Sequence, residues 1–142
     1  MHIVGIDPGR HKIGVALICR ENGEILQRAI VSTQNLEELS HLLTQWDARI
    51  IAVGNATGGR ELLDQLNMWQ AAGRIPEATL LTVDEKNSTL EARSLFWSVH
   101  LPTGWRRLVP LSMQNPPVPI DDFAAVVLAR RACASLNVPQ TP

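Results

Sequence analysis

Cysteine is nearly missing from this sequence. Cys19 and Cys133 are the only two, and neither has a Cys or His partner at metal-ligating spacing. That excludes a zinc ribbon or a disulfide framework, and the apolar neighbours of each residue point to reduced core thiols. An excess of positive charge is missing too: thirteen Lys and Arg stand against fourteen Asp and Glu, for a net charge of −1. Proteins that bind nucleic acid by overall attraction carry a strong basic balance, so any such surface here must be a local patch. No apolar run reaches the roughly 18 residues of a membrane span, and no apolar stretch follows a basic start as in a leader peptide. The expectation is a cytoplasmic protein with no membrane partner. Repeats and low-complexity segments are also lacking.

What is present is an ordinary globular composition, 45% hydrophobic and 19% charged over 142 residues. One domain over residues 1–142 is expected, able to bury roughly 68–70% of the surface its unfolded chain exposes. His2–Ile6 is an apolar run that stops at Asp7-Pro8-Gly9, which predicts a buried strand and a turn. Ile13–Cys19 is a second strand. Asn22-Gly23 between two apolar segments is a hairpin signal, and the third strand follows at Ile25–Val31. Short turns between three strands require an antiparallel meander.

The pattern then changes period. Asn35 and Glu38 resemble a capping box, with Leu36, Leu39, Leu43 and Trp46 at helical spacing behind it. Ile50–Val53 reads as a strand closed by Gly54-Asn55. Thr57-Gly58-Gly59 leads into a helix striped by Leu62, Leu63, Leu66 and Trp69. Leu80–Val83 is a further strand and stops at Asp84-Glu85. Alternation of strand and helix implies parallel strands with crossover helices. Ser88–Trp97 predicts a helix with Ser88 and Glu91 as a second capping box. Residues 100–119 hold five prolines and Gly104, and no regular element is expected there. Asp121–Ser135 is the last helix, apolar on nearly every face over Phe123–Ala129 and therefore buried. Residues 138–142 read as a frayed tail. The fold class is α/β: a five-stranded mixed sheet, three antiparallel strands then two parallel, flanked by helices.

Three acidic positions fall at element ends: Asp7 after the first strand, Glu85 after the fifth, and Asp121-Asp122 at the start of the final helix. Ligands of open α/β sheets bind beyond the carboxyl ends of strands. Carboxylates from three such places suit Mg²⁺, a hard cation that prefers oxygen ligands. A pair of such ions can stabilise both the attacking and leaving oxygens at phosphorus. Each residue also has a plain structural reading. Asp7 is a turn residue, Glu85 a solvated strand-end charge, and Asp121 a helix cap with Asp122 favoured by the helix dipole. It is their joint placement that points to chemistry.

The segment Gly5-Ile6-Asp7-Pro8-Gly9-Arg10-His11-Lys12-Ile13-Gly14-Val15-Ala16 resembles the opening motif of the YqgF/RuvX family. That family comprises Holliday junction resolvases and pre-16S ribosomal RNA-processing nucleases. Val83-Asp84-Glu85-Lys86-Asn87-Ser88-Thr89-Leu90-Glu91-Ala92 resembles its second motif, and Ile120-Asp121-Asp122-Phe123-Ala124-Ala125 its last. The three occur in the family's order and span nearly the whole chain. The resemblance implies an RNase H-like fold and a phosphodiester hydrolase dependent on Mg²⁺ or Mn²⁺. Its acids fall on Asp7, Glu85 and Asp121, with Asp84 and Asp122 as register alternatives and Asp122 a further metal ligand. Its substrate is a ribosomal RNA precursor or branched DNA, and a resolvase cutting two strands symmetrically would need a homodimer.

The segment Gly54-Asn55-Ala56-Thr57-Gly58-Gly59-Arg60-Glu61 departs from the family pattern. It is similar to the corresponding stretch of the YqgF-like domain in the bacterial transcription accessory protein Tex. That likeness keeps open a module that binds nucleic acid without cutting it. Candidate nucleic-acid contacts are Arg10, Lys12, Asn55, Arg60, Lys86, Arg106 and Arg107, with Trp105 able to stack on an unpaired base or simply to anchor its loop. His11 reads as an exposed turn residue with proton transfer as its alternative. Arg130-Arg131 read as complements of the last helix dipole. An actin-like kinase fragment shares the opening Asp-x-Gly, but such enzymes enclose ATP between two lobes and 142 residues supply one.

Overall fold

The computed structural model describes residues 1–56, 58–101, 104–110 and 114–137, the side chains of Trp105 and Arg106 excepted. Thr57 at the approach to the second expected helix, the loop position Pro102 and the tail at 138–142, expected to fray, lie outside the described residues. In chain order the elements are β1 (His2–Pro8), β2 (Lys12–Cys19), β3 (Ile25–Ser32), α1 (Leu36–Gln45), β4 (Ile50–Gly54), α2 (Gly59–Ala71), β5 (Thr79–Val83), α3 (Ser88–Val99), a 3-10 turn at Gly104–Leu108, and α4 (Asp121–Asn137). The sheet runs β3-β2-β1-β4-β5. β1–β2 and β2–β3 pair antiparallel, and β4 pairs parallel with both β1 and β5. This is the mixed sheet expected from the sequence. No helix among the described residues is long and apolar enough to cross a membrane.

Strand alternation sorts the side chains into two layers. Val4, Ile6, Val15, Ile51 and Val53 face one side, where Leu39 and Leu43 of α1 and Leu62, Leu66 and Trp69 of α2 close over them. Ile3, Ala16, Ile18 and Ala52 face the other, against Ala125, Val126, Ala129 and Ala132 of α4. α3 covers the far side of α4 through Ala92, Phe96, Trp97, Phe123 and Val127. α4 is thus a buried middle layer, and every residue from Phe123 to Ala129 is buried.

Several local expectations are corrected. β1 does not stop at Ile6; it continues through Asp7 and Pro8, which pair with Gly14 and Ile13. The proline is tolerated because the ladder to β4 has already ended at Ile6↔Val53. Asp7 is therefore a strand residue and not part of a turn. Neither capping box forms. Asn35 stands at the N-cap of α1, but its side chain makes no capping bond. Ser88 is the first helical residue of α3, buried, with its N–H donated to Glu85 O, and Asn87 takes the N-cap in a left-handed conformation (φ 62°). The proline-rich stretch contains one regular piece, the 3-10 turn, in a window free of proline. Arg130 and Arg131 do not merely offset a dipole. Arg130 Nε donates to Gly23 O, Arg131 Nη1 donates to Asp84 O, and Arg131 also pairs with Glu91. They lace α4 to the β2–β3 hairpin and to the end of β5.

Candidate active site

The carboxyl ends of β1, β4 and β5 lie side by side, because the three strands are parallel neighbours. Asp7 projects from β1 on the α4 side, in phase with Ile3 and Gly5. Two glycines on that side set the depth of α4. A Cβ on Gly5 would overlap the backbone carbonyl of Ala125, and one on Gly14 would overlap that of Asp121. With those two side chains missing, α4 lies directly on the hairpin. Its first turn comes down beside Gly14, the pairing partner of Asp7. Asp121 is thereby close enough for its charge to act on the Asp7 carboxyl.

Glu85 is delivered by a clamp. Asn55 N–H donates to Val83 O (3.0 Å), and Asn55 Oδ1 accepts the N–H of Glu85 (3.2 Å). The Ala56 N–H donates to Glu85 Oε2 (2.8 Å). Gly54 leaves the space that the Glu85 carboxylate fills, since a Cβ there would overlap it. Gly58 in a left-handed conformation (φ 91°) then turns the chain into α2. The Gly-Asn segment is accordingly structural support for Glu85.

Asp7 and Glu85 meet. The Asp7 carboxyl is pushed up to about 8, first by burial, then by its hydrogen-bonding proximity to Glu85, then by the charges of Glu85 and Asp121. Two ionised carboxylates are both acceptors, so their approach is favourable only with a proton or a cation between them. Glu85 Oε1 points the same way: it is buried, and among the described residues no donor other than a protonated Asp7 carboxyl is within reach. An oxygen-only donor set with one orphaned oxygen fits a hard divalent cation. No three His, Cys, Asp or Glu side chains among the described residues are already drawn together as a metal cage.

The register alternatives are engaged elsewhere. Asp122 Oδ2 accepts Arg28 Nη1 at 2.7 Å, and its Oδ1 accepts the N–H of Phe123. Asp84 is exposed, with Oδ1 accepting the N–H of Lys86. Of the basic candidates, Arg10, Lys12, Arg60, Lys86 and Arg107 are exposed. None of them pairs with a carboxylate among the described residues. Arg10 and Lys12 flank the β1–β2 turn, Arg60 opens α2, and Lys86 follows Glu85, so these four share the end of the sheet that holds Asp7. Arg107 lies on the 3-10 turn. The side chains of Arg106 and Trp105 lie outside those described. His11 is exposed, its carbonyl accepting the Thr33 N–H. Gly5, Gly14, Gly54 and Arg28 escaped notice in the sequence. The available signal was the spacing Gly5-x-Asp7 and Gly14-x-Ala16, small residues on one strand face opposite a helix rich in alanine.

The five-strand order and four helices recur in known structures. Thermus thermophilus RuvC is similar at a TM-score of 0.60 over 96% of each chain, with 14% identity. The fowlpox virus resolvase in complex with substrate Holliday junction DNA is similar at 0.62, with 11% identity, over 97% of this chain and 100% of that one. This is an RNase H-like fold. At such identities the likeness extends to the RNase H-like frame alone, and the roles of individual residues rest on the geometry above. No family profile and no curated protein sequence matches the chain.

Proposed function

We propose that this chain is a divalent-metal-dependent endonuclease that hydrolyses phosphodiester bonds in branched DNA. The observation that carries the reading is the buried Oε1 of Glu85, reached by no donor among the described residues except the Asp7 carboxyl, which burial and its acidic neighbours keep protonated to about pH 8. Asp7, Glu85 and Asp121 are the ligands proposed for Mg²⁺ or Mn²⁺. Such an ion polarises the phosphodiester and makes a bound water more acidic. Asp7 gives up its proton to bind the ion. The Ala56 N–H holds Glu85 Oε2 and leaves Oε1 free. The pairing of Asp122 with Arg28 favours Asp121 as the ligand from α4. Arg10, Lys12, Arg60 and Lys86 would take phosphates on either side of the cut, and Arg107 would add a contact from the 3-10 turn.

Branched DNA is preferred because two structures of the same fold, Thermus thermophilus RuvC and the fowlpox virus resolvase, were determined with Holliday junctions. The motif resemblance to the YqgF/RuvX family supports the same chemistry and keeps a ribosomal RNA precursor as the competing substrate. Symmetric cutting of a junction would require a two-fold homodimer. A second reading, binding without turnover, has one observation in its favour: the carboxylates are not already a closed cage. The test is incubation of the protein with a four-way DNA junction and with a precursor RNA stem, in Mg²⁺, Mn²⁺ or EDTA, with mass in solution measured alongside. Metal-dependent cutting of the junction, lost in Asp7→Asn, is expected. Binding of both substrates with no cutting in either metal would replace this reading with the second.

A further inference from the structure

A cavity of about 400 Å³ lies between the end of α3, the start of α4, β3 and the segment 117–119. Four aromatic rings stand among its lining residues. His100 stacks on Phe96 at 4.8 Å and 21°, while Trp97 and Phe123 stand edge-on to Phe96 at 5.0 and 5.6 Å. Arg28 lies at one side, its guanidinium 4.1 Å over the Phe123 ring and held by Asp122. The Trp97 indole N–H is buried without an acceptor among the described residues. Leu101, 75% exposed, extends the apolar surface at the mouth.

We propose that this cavity is a pocket for an unstacked nucleobase of the nucleic acid bound at the carboxylates. An aromatic cluster on one side, with the His100 ring exposed, favours a planar guest, because offset and edge-on ring contacts add to the gain from burial. A fixed guanidinium and an unpartnered indole N–H favour a guest whose edge carries acceptors, as every base does and an aliphatic side chain does not. Position argues the same way. Asp122 helps to line the cavity, and the residue before it, Asp121, is a proposed metal ligand, their Cα atoms about 3.8 Å apart. A nucleotide strand with its phosphate on the carboxylates thus passes the mouth of the cavity. A branch point supplies bases that have lost a stacking neighbour, for which the cost of extrusion is least.

The inference rests on the nucleic-acid reading of the site, and the experiment separates the two. Four-way junctions carrying 2-aminopurine at single positions around the branch are titrated with protein in Ca²⁺, a hard cation that oxygen ligands hold, with binding followed independently by gel shift. Quenching is expected at one or two positions and not at the others. His100→Ala, which removes an exposed ring, should abolish that quenching and weaken binding about fivefold, while His100→Phe restores both. Binding with no position quenched, or quenching unchanged in His100→Ala, would overturn the pocket and leave the nuclease reading intact. Failure of every junction to shift would overturn both.

Discussion

Gly14 lies directly against the backbone carbonyl of Asp121, with no room for a β-carbon between them. Gly14 is also the strand partner of Asp7. One missing side chain therefore sets the distance between two acids that are more than a hundred residues apart in the chain. The approach cannot be relieved by a rotamer change, since both obstructing groups are backbone.

Gly14→Ala should accordingly lift the first turn of α4. A cost of about 1–3 kcal/mol in stability is expected, as for overpacking elsewhere. Cleavage should fall at least tenfold, because Asp121 is displaced from Asp7. Denaturant melts and cleavage rates on one preparation check both. A variant with full activity would show that the position of Asp121 is unimportant.

Asp7→Asn should make the metal-free protein more stable while removing cleavage. The amide replaces a carboxyl that folding holds protonated beside Glu85 and Asp121, so the cost of keeping that proton at neutral pH is gone. A gain of about 1–3 kcal/mol is expected, read as a rise of several degrees in Tm in EDTA. A lower Tm would mean that Asp7 supports the fold and is not held there against its preference.

The raised Asp7 carboxyl also fixes the direction of the pH response. Its folded value, about 8, lies above its ordinary value of 3.8, so the folded protein binds the extra proton. Its contribution to stability is complete below about pH 4 and is lost as pH rises to about 8. Metal binding opposes that proton, so affinity for Mn²⁺ should climb about tenfold per pH unit below 8 and level off above it. Calorimetry at pH 7 in buffers of different ionisation enthalpy should show nearly one proton released per binding event. No release would place the ion away from Asp7.

Asn55→Ala should loosen Glu85 without touching the acids themselves. It removes the acceptor for the Glu85 N–H, worth about 1 kcal/mol. The expected signature is a metal requirement shifted to about tenfold higher concentration, in line with the loss of outer contacts to metal ligands. The maximal rate at saturating metal should be largely kept. A loss of rate that metal cannot rescue would place Asn55 on the substrate.

The sequence by itself determined the element order, the sheet with its two strand directions, and the presence of flanking helices. Period-2 and period-3.6 patterns record which side of each element is buried, and Leu62, Leu66 and Trp69 or Val4 and Ile6 are visible in that way. It also singled out Asp7, Glu85 and Asp121, through their place at element ends and the motifs around them. Tertiary structure alone decided how the acids meet. Gly5, Gly14 and Gly54 act by what they leave empty, and an absent side chain has no periodicity to read. The pairing of Asp122 with Arg28 likewise came from tertiary structure, since no local pattern connects β3 to α4. Asp7 passed from an apparent turn to a strand residue because β1 keeps its pairing with β2 after β4 has ended. Local sequence states which residues are buried; it does not state how close two backbones may come, and at this site that closeness positions the carboxylates.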